Sequence, residues 1–291
     1  MAKNLFDAAF FSQLSQVKLV TKQRMNSAMN GGRKSSAKGS SVEFSDFREY
    51  MLGDDIRRID WNAYGRMDRF FVKLFMEEKE GLFHIFFDTS DSMNYGEYSK
   101  YDQARKVAAL FSYMVLNNLD RMYLYPSGQQ KDSRVSGITG RQSFQKVLRY
   151  LEEVPCGGVT DWNRELRKFS FGRRGTVILI SDFFENESLE EALRFLAFQK
   201  QEVILVQILS KEELHPEQEG HCNLIDSESK KEMRVTVNHG VLQQYERTLC
   251  EFLDHLKELS KRYQAAYVFC ESKDPLTKVL YEYQRQTPAN E

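Results

Sequence analysis

A carboxylate and two hydroxyls alternate in Asp88-Thr89-Ser90-Asp91-Ser92, directly after the apolar run Phe83-His84-Ile85-Phe86-Phe87. An Asp-x-Ser-x-Ser string supplies oxygen only, a hard ligand set that suits Mg2+ or Mn2+ far better than zinc. A short apolar run of this kind reads as a strand buried in a parallel sheet. The C-terminal ends of such strands are where open α/β sheets place their binding sites. Two later segments offer related chemistry. Cys156-Gly157-Gly158-Val159-Thr160-Asp161 is a flexible loop that delivers Thr160 at the start of a helix, and Val177-Ile178-Leu179-Ile180-Ser181-Asp182 is a second buried strand ending in an aspartate. In a doubly wound sheet both can reach the end of the first strand. The candidate metal ligands are therefore Asp88, Ser90, Ser92, Thr160 and Asp182. Three neutral hydroxyls and two carboxylates leave part of a divalent charge unquenched, with room for a partner's carboxylate or a substrate oxygen. Each residue taken singly has a plainer role: Ser90 and Ser92 can cap the next helix, Thr160 or Asp161 can cap theirs, and Asp182 can end a strand at the surface.

The elements that must position these residues follow from periodicity. Strands are expected at Leu82–Phe87, Met122–Tyr125, Thr176–Ile180, Val203–Ile208 and Ala266–Phe269. Helices are expected between them around Asp102–Asn118, Ser143–Glu152, Trp162–Phe169 and Leu189–Phe198, and then near Leu242–Lys261 and Pro275–Tyr283. This alternation predicts an α/β fold, a doubly wound, mostly parallel sheet covered on both faces. Cys222–Asp226 and Met233–Val237 flank a polar turn and read as an inserted β-hairpin. Leu5, Phe6, Ala9, Phe10, Leu14, Val17 and Leu19 recur at helical spacing, predicting an amphipathic N-terminal helix from Leu5 to about Met29. Its apolar face serves equally well for packing on the domain or for reaching a partner or a membrane surface. The Gly/Ser-rich stretch Gly31–Ser41 reads as a flexible linker. The expected organisation is an N-terminal helix and linker over 1–41, a charged and aromatic segment over 42–81 packed on the main domain, and the α/β domain over 82–291.

Composition narrows the function classes. Forty-one basic against 42 acidic side chains give a net charge of −1 in 291 residues, which argues against a general nucleic-acid binder. No apolar run approaches a membrane span, and the first residues lack the layout of a signal peptide. The expected location is cytoplasmic, with attachment to a membrane complex compatible. Cys156, Cys222, Cys250 and Cys270 form no Cys-x-x-Cys pair, and free thiols in a reducing compartment are expected. Trp61, Tyr64 and Phe47 read as packing anchors. The mixed signs of Arg48, Asp54, Asp55, Arg57, Arg58 and Asp60 favour mutual ion pairing over a second ligand site.

The chemical string carries a resemblance. Asp88-Thr89-Ser90-Asp91-Ser92, Thr160 and Asp182 resemble the three parts of the metal-ion-dependent adhesion site of von Willebrand factor A domains. Upstream, Val42-Glu43-Phe44, Arg48-Glu49-Tyr50-Met51-Leu52-Gly53-Asp54-Asp55-Ile56-Arg57-Arg58-Ile59-Asp60-Trp61 and Val72-Lys73-Leu74-Phe75-Met76-Glu77-Glu78 resemble the hallmark region of the bacterial domain of unknown function 58. The resemblance runs from about residue 40 to the C-terminus and implies a von Willebrand A-like, Rossmann-type domain. In such sites the serines and the threonine commonly bind the metal directly while the aspartates act through water. The family is typically encoded beside MoxR-type AAA ATPases and has no established enzymatic activity. The resemblance thus implies a metal-dependent adaptor or assembly factor whose protein partner offers a carboxylate to the metal. One departure is Val159: this chain reads Gly-Gly-Val-Thr-Asp where the family often has Gly-Gly-Thr-Asp.

The rival reading is a metal-dependent hydrolase, a phosphoesterase, at the same loop ends. An aspartyl-phosphate mechanism wants a carboxylate two residues after the nucleophile, where Ser90 stands. No P-loop, dinucleotide fingerprint or Gly-x-Ser-x-Gly string occurs. His84 falls within the apolar strand, and His215, His221, His239 and His255 are expected at the surface.

Overall fold

The computed structural model describes residues 5–16, 42–67, 69–77, 80–128, 134–184, 186–216, 220–225 and 232–286. The expected linker and the second half of the N-terminal helix lie outside them. The described residues form two compact units: residues 5–16 belong with those from Gly81 onward, and residues 42–80 form the other.

In chain order the elements are α1 (8–16), β1 (Val42–Glu49), α2 (Trp61–Met67), β2 (Phe71–Glu77), β3 (Leu82–Asp88), α3 (Lys100–Asn117), β4 (Arg121–Ser127) and β5 (Val135–Ile138). They continue with α4 (Phe144–Glu153), α5 (Trp162–Arg167), β6 (Thr176–Ser181), α6 (Asn186–Phe198), β7 (Glu202–Leu209) and α7 (Lys211–Leu214). The last are β8 (Gly220–Ile225), β9 (Glu232–Val237), α8 (His239–Arg262), β10 (Ala266–Glu271) and α9 (Leu276–Gln286).

The larger unit is built on a six-stranded sheet in the order β10-β7-β6-β3-β4-β5, parallel except for the edge strand β5. Side chains alternate across a strand, so one apolar run feeds two cores. Ile85, Phe87, Ile178, Ile180 and Val206 enter the core roofed by α1, α3, α4 and α9. Phe86, Val177, Leu179 and Leu205 enter the core roofed by α5, α6 and α8. Burial on both sides explains why β6 reads as an unbroken apolar run and why β3 and β7 are interrupted only by the buried His84 and Gln207. The doubly wound expectation thus holds, and the expected hairpin is β8–β9, inserted between β7 and α8. Strand β5 was not legible, because Val135-Ser136-Gly137-Ile138 is short and carries a glycine.

The N-terminal helix packs on the larger unit. Asp7 caps it by accepting the Phe10 amide at 2.8 Å. Leu5, Phe6, Phe10 and Leu14 are buried with α3 and α9, and Gln13 Oε1 accepts the amide of Leu276. His84 is buried in the sheet, with Nδ1 3.3 Å from the Tyr125 hydroxyl and its ring stacked on Tyr123. His215, His221, His239 and His255 are exposed.

In the smaller unit β1 and β2 form an antiparallel pair with an irregularity between Phe44 and Asp46. Of the expected charge pairing, Arg48 and Asp54 meet at 2.8 Å; Asp54 also accepts the Met51 amide, and Asp55 caps the turn at Ile56–Arg58. Tyr64 stacks on Phe70 at 4.5 Å, with Trp61 edge-on to both.

Candidate metal-binding site

From β3 the chain steps to β4 on one side and later returns to β6 on the other. The crevice opened by that reversal lies beyond the C-terminal ends of β3 and β6, the usual binding position in an open sheet. Asp88 is the last residue of β3 and Ser181 the last of β6, with Asp182 next. Four of the five expected ligands are almost fully buried: Asp88, Ser90, Thr160 and Asp182. Ser92 is half-buried.

Asp88 organises the site. Its Oδ1 accepts from Thr160 Oγ1 at 2.6 Å and from the Ser90 amide at 2.9 Å. Its Oδ2 accepts from Ser181 Oγ at 2.6 Å. Burial pushes its carboxyl above the usual carboxylate range, Asp182 adds to this, and the Ser181, Thr160 and Ser90 donors pull the other way. Ser90 Oγ and Ser92 Oγ lie 2.9 Å apart. Ser90 begins a short 3-10 turn without making a side-chain cap, and α3 is capped instead by Ser99. Asp161, and not Thr160, caps α5 by accepting the Arg164 amide. The plainer capping role therefore applies to Asp161 and leaves Ser90, Ser92 and Thr160 to the crevice.

Three loops are laced together to hold these groups. Thr89 donates through its amide and its hydroxyl to the Ser127 carbonyl at the end of β4, at 3.0 and 2.5 Å. The Gly157 amide donates to the Thr89 carbonyl and the Asp91 amide to the Gly158 carbonyl. Gly158 has φ +95°, where only glycine is at ease. Val159 turns outward, 53% exposed, and Thr160 still reaches Asp88. Val159 is thus accommodated facing solvent without displacing Thr160. Cys156, whose thiol burial pushes up to about 11, donates to the Ser90 carbonyl.

Asp182 is engaged on every side. Its Oδ2 accepts from Lys100 Nζ at 2.7 Å, its Oδ1 from the Phe184 amide at 3.3 Å, and its carbonyl from Gln207 Nε2 at 2.9 Å. Lys100 also meets Glu213 Oε1 at 2.5 Å. Burial alone would lower the lysine's pKa, but Asp182 and Glu213 more than offset it and hold the ammonium charged. Ser181, Lys100, Gln207 and Glu213 were not singled out from the sequence. Only Ser181 had a signal, as the last residue of the strand that delivers Asp182.

The donor chemistry fits a hard divalent cation. Ser90 Oγ and Ser92 Oγ are hydrogen-bonded to each other at 2.9 Å, and adjacent oxygens of an octahedron with bonds of 2.0–2.1 Å also stand about 2.9 Å apart, so the pair is spaced to take a cation in place of the shared proton. Among the described residues no three His, Cys, Asp or Glu side chains gather as a metal-holding group, so a cation here depends on the hydroxyls. Asp182, with Oδ2 already paired, suits a role through water.

The family described as "Protein of unknown function DUF58" matches residues 46–251. "Uncharacterized protein Rv1480" of Mycobacterium tuberculosis and "Uncharacterized protein Mb1516" of Mycobacterium bovis are each 26% identical over 231 residues, covering 77% of this chain and 72% of the relative. Among solved structures, the conserved hypothetical protein BatB of Bacteroides thetaiotaomicron superposes with a TM-score of 0.42 at 15% identity, covering 71% of this chain and 98% of that one. The SpRpn10 VWA domain gives a TM-score of 0.43 at 12% identity, covering 73% of this chain and 97% of the other.

Proposed function

Because this chain belongs to the DUF58 family, whose description assigns no activity, we propose that it is a divalent-cation-dependent protein-binding module. The observation that carries this reading is the pair of hydroxyls, Ser90 and Ser92, 2.9 Å apart beside a buried, thrice-hydrogen-bonded Asp88. Ser90, Ser92 and Thr160 would hold Mg2+ or Mn2+, with Asp88 and Asp182 acting through water. Bound there, the cation would offer a Lewis-acidic position for a partner's carboxylate. The loops around the crevice expose apolar and aromatic groups: Tyr95 and Tyr98 after the first motif, Val159 in the second, Phe184 after the third. Exposed aromatics beside a charged centre are the usual makings of a protein-binding hot spot. By its family resemblance the module works as an adaptor or assembly factor with a MoxR-type AAA ATPase. The hydrolase reading gains no support from the contacts, since both oxygens of Asp88 already accept hydrogen bonds.

Calorimetric titration of Mg2+ and Mn2+ into metal-stripped protein tests the proposal. Saturable binding near one site per chain is expected, lost in Ser92→Ala and in Asp88→Ala. A folded wild-type protein that binds neither ion removes the cation from the account. Turnover of a phosphoester would favour the hydrolase.

A further inference from the structure

Lys100 occupies a place that ordinary helix chemistry disfavours. It is the first residue of the 18-residue helix α3, at the positive end of the helix dipole, where a cation is unfavourable. It is also 1% exposed, and a buried ammonium is costly unless paired. Its two partners come from different strand exits: Asp182 follows β6, and Glu213 lies in α7, just after β7. Glu213 is itself fixed, because its Oε2 accepts the Ser210 amide in a capping box and its carbonyl accepts the Tyr245 hydroxyl. The ammonium also stands 5.3 Å from the centroid of the Phe184 ring. It is thus a charge held on fixed partners beside the crevice.

We propose that Lys100 is a positioning residue that sets the cation affinity of the crevice, holding Asp182 Oδ2 out of the inner coordination shell as a built-in counter-charge that Glu213 moderates. The inference rests on the cation reading given above. Its consequence is a pair of opposite effects. Lys100→Met leaves Asp182 and Glu213 without their shared ammonium, and the crevice becomes more negative. Glu213→Gln leaves the ammonium opposed by Asp182 alone, and the crevice becomes less negative. Coulomb energies over a few ångströms in a partly buried site predict changes of at least about tenfold.

The test is titration of Mn2+ into the metal-stripped full chain, followed by the loss of the free-ion paramagnetic resonance signal, with folding checked by near-ultraviolet circular dichroism. Lys100→Met should bind Mn2+ at least about tenfold more tightly than the wild type, and Glu213→Gln about tenfold more weakly. Lys100→Arg, which keeps the charge, should stay near the wild type. Equal affinities in wild type and both folded variants, or shifts of the same sign, would overturn the inference while leaving the cation reading intact. If Lys100→Met does not fold, Glu213→Gln decides alone: weaker binding supports the proposal, and unchanged or tighter binding overturns it. No binding by any folded variant or by the wild type removes both readings together.

Discussion

Gly158 passes so close to Gly128 that a Cβ on Gly158 would come within 2.1 Å of the Gly128 carbonyl oxygen. The contact is backbone on backbone, and neither side can rotate away. It joins the loop that carries Thr160 to the exit of β4, and Gly128 in turn lies beside Thr160 and the Ser90 amide. Closeness of the three loops is therefore a property of two glycines as much as of the hydroxyls they present.

Gly158→Ala should accordingly cost about 2 kcal/mol or more, combining left-handed backbone strain with a clash that can be relieved only by opening the loop. Denaturant unfolding measures this. Wild-type stability would mean that the loop does not hold this close approach in solution.

Ser181→Ala should destabilise the fold by about 1–3 kcal/mol, because it leaves the buried Oδ2 of Asp88 without its hydroxyl donor. Val159→Ala, at an exposed position, should change stability by less than about 0.5 kcal/mol. Thermal melts of the pair would show the contrast, and similar losses in both would contradict the assignment of Asp88 as the organising group.

The imidazole of His84 gives a pH dependence with a definite sign. Burial depresses its pKa from 6.5 to about 4, and Nε2 has no hydrogen-bond partner among the described residues. The unfolded chain thus binds the proton more readily than the folded one between these values. This contribution is complete above pH 6.5 and is lost as the pH falls towards 4, by about 3 kcal/mol in all. His84→Phe should flatten the stability profile across that window; an unchanged slope between pH 4 and 6.5 would rule the histidine out as its source.

Phe10→Ala should cost about 3–5 kcal/mol, the range for emptying a buried aromatic site. Its ring packs between Phe6 and Phe11, at 4.8 and 5.3 Å. A loss below about 1 kcal/mol would mean that α1 is not part of the folded core.

Local chemistry made much of this molecule legible. Apolar runs ending in polar residues announce β3 and β6, because strands covered on both faces need largely apolar side chains and must release the chain into water at their ends. Asp88, Ser90, Ser92, Thr160 and Asp182 could be singled out because each stands at such an end or at a helix start. The mixed charges between Arg48 and Asp60 could be read as ion-pairing groups, which Arg48 and Asp54 are, whereas the capping by Asp55 came only from the structure. The sequence left open whether Ser90, Ser92 and Thr160 were caps, since a hydroxyl before a helix has the same appearance in either role; only Ser99 and Asp161 taking those duties resolved it. Tertiary structure alone decided the rest. Lys100 reaches Asp182 across 82 residues and Glu213 across 113, and Ser181 reaches Asp88 across 93. No periodicity or spacing records such partners. A lysine opening a helix looks like any surface charge until the reversal of strand order brings two carboxylates to it and closes the water out.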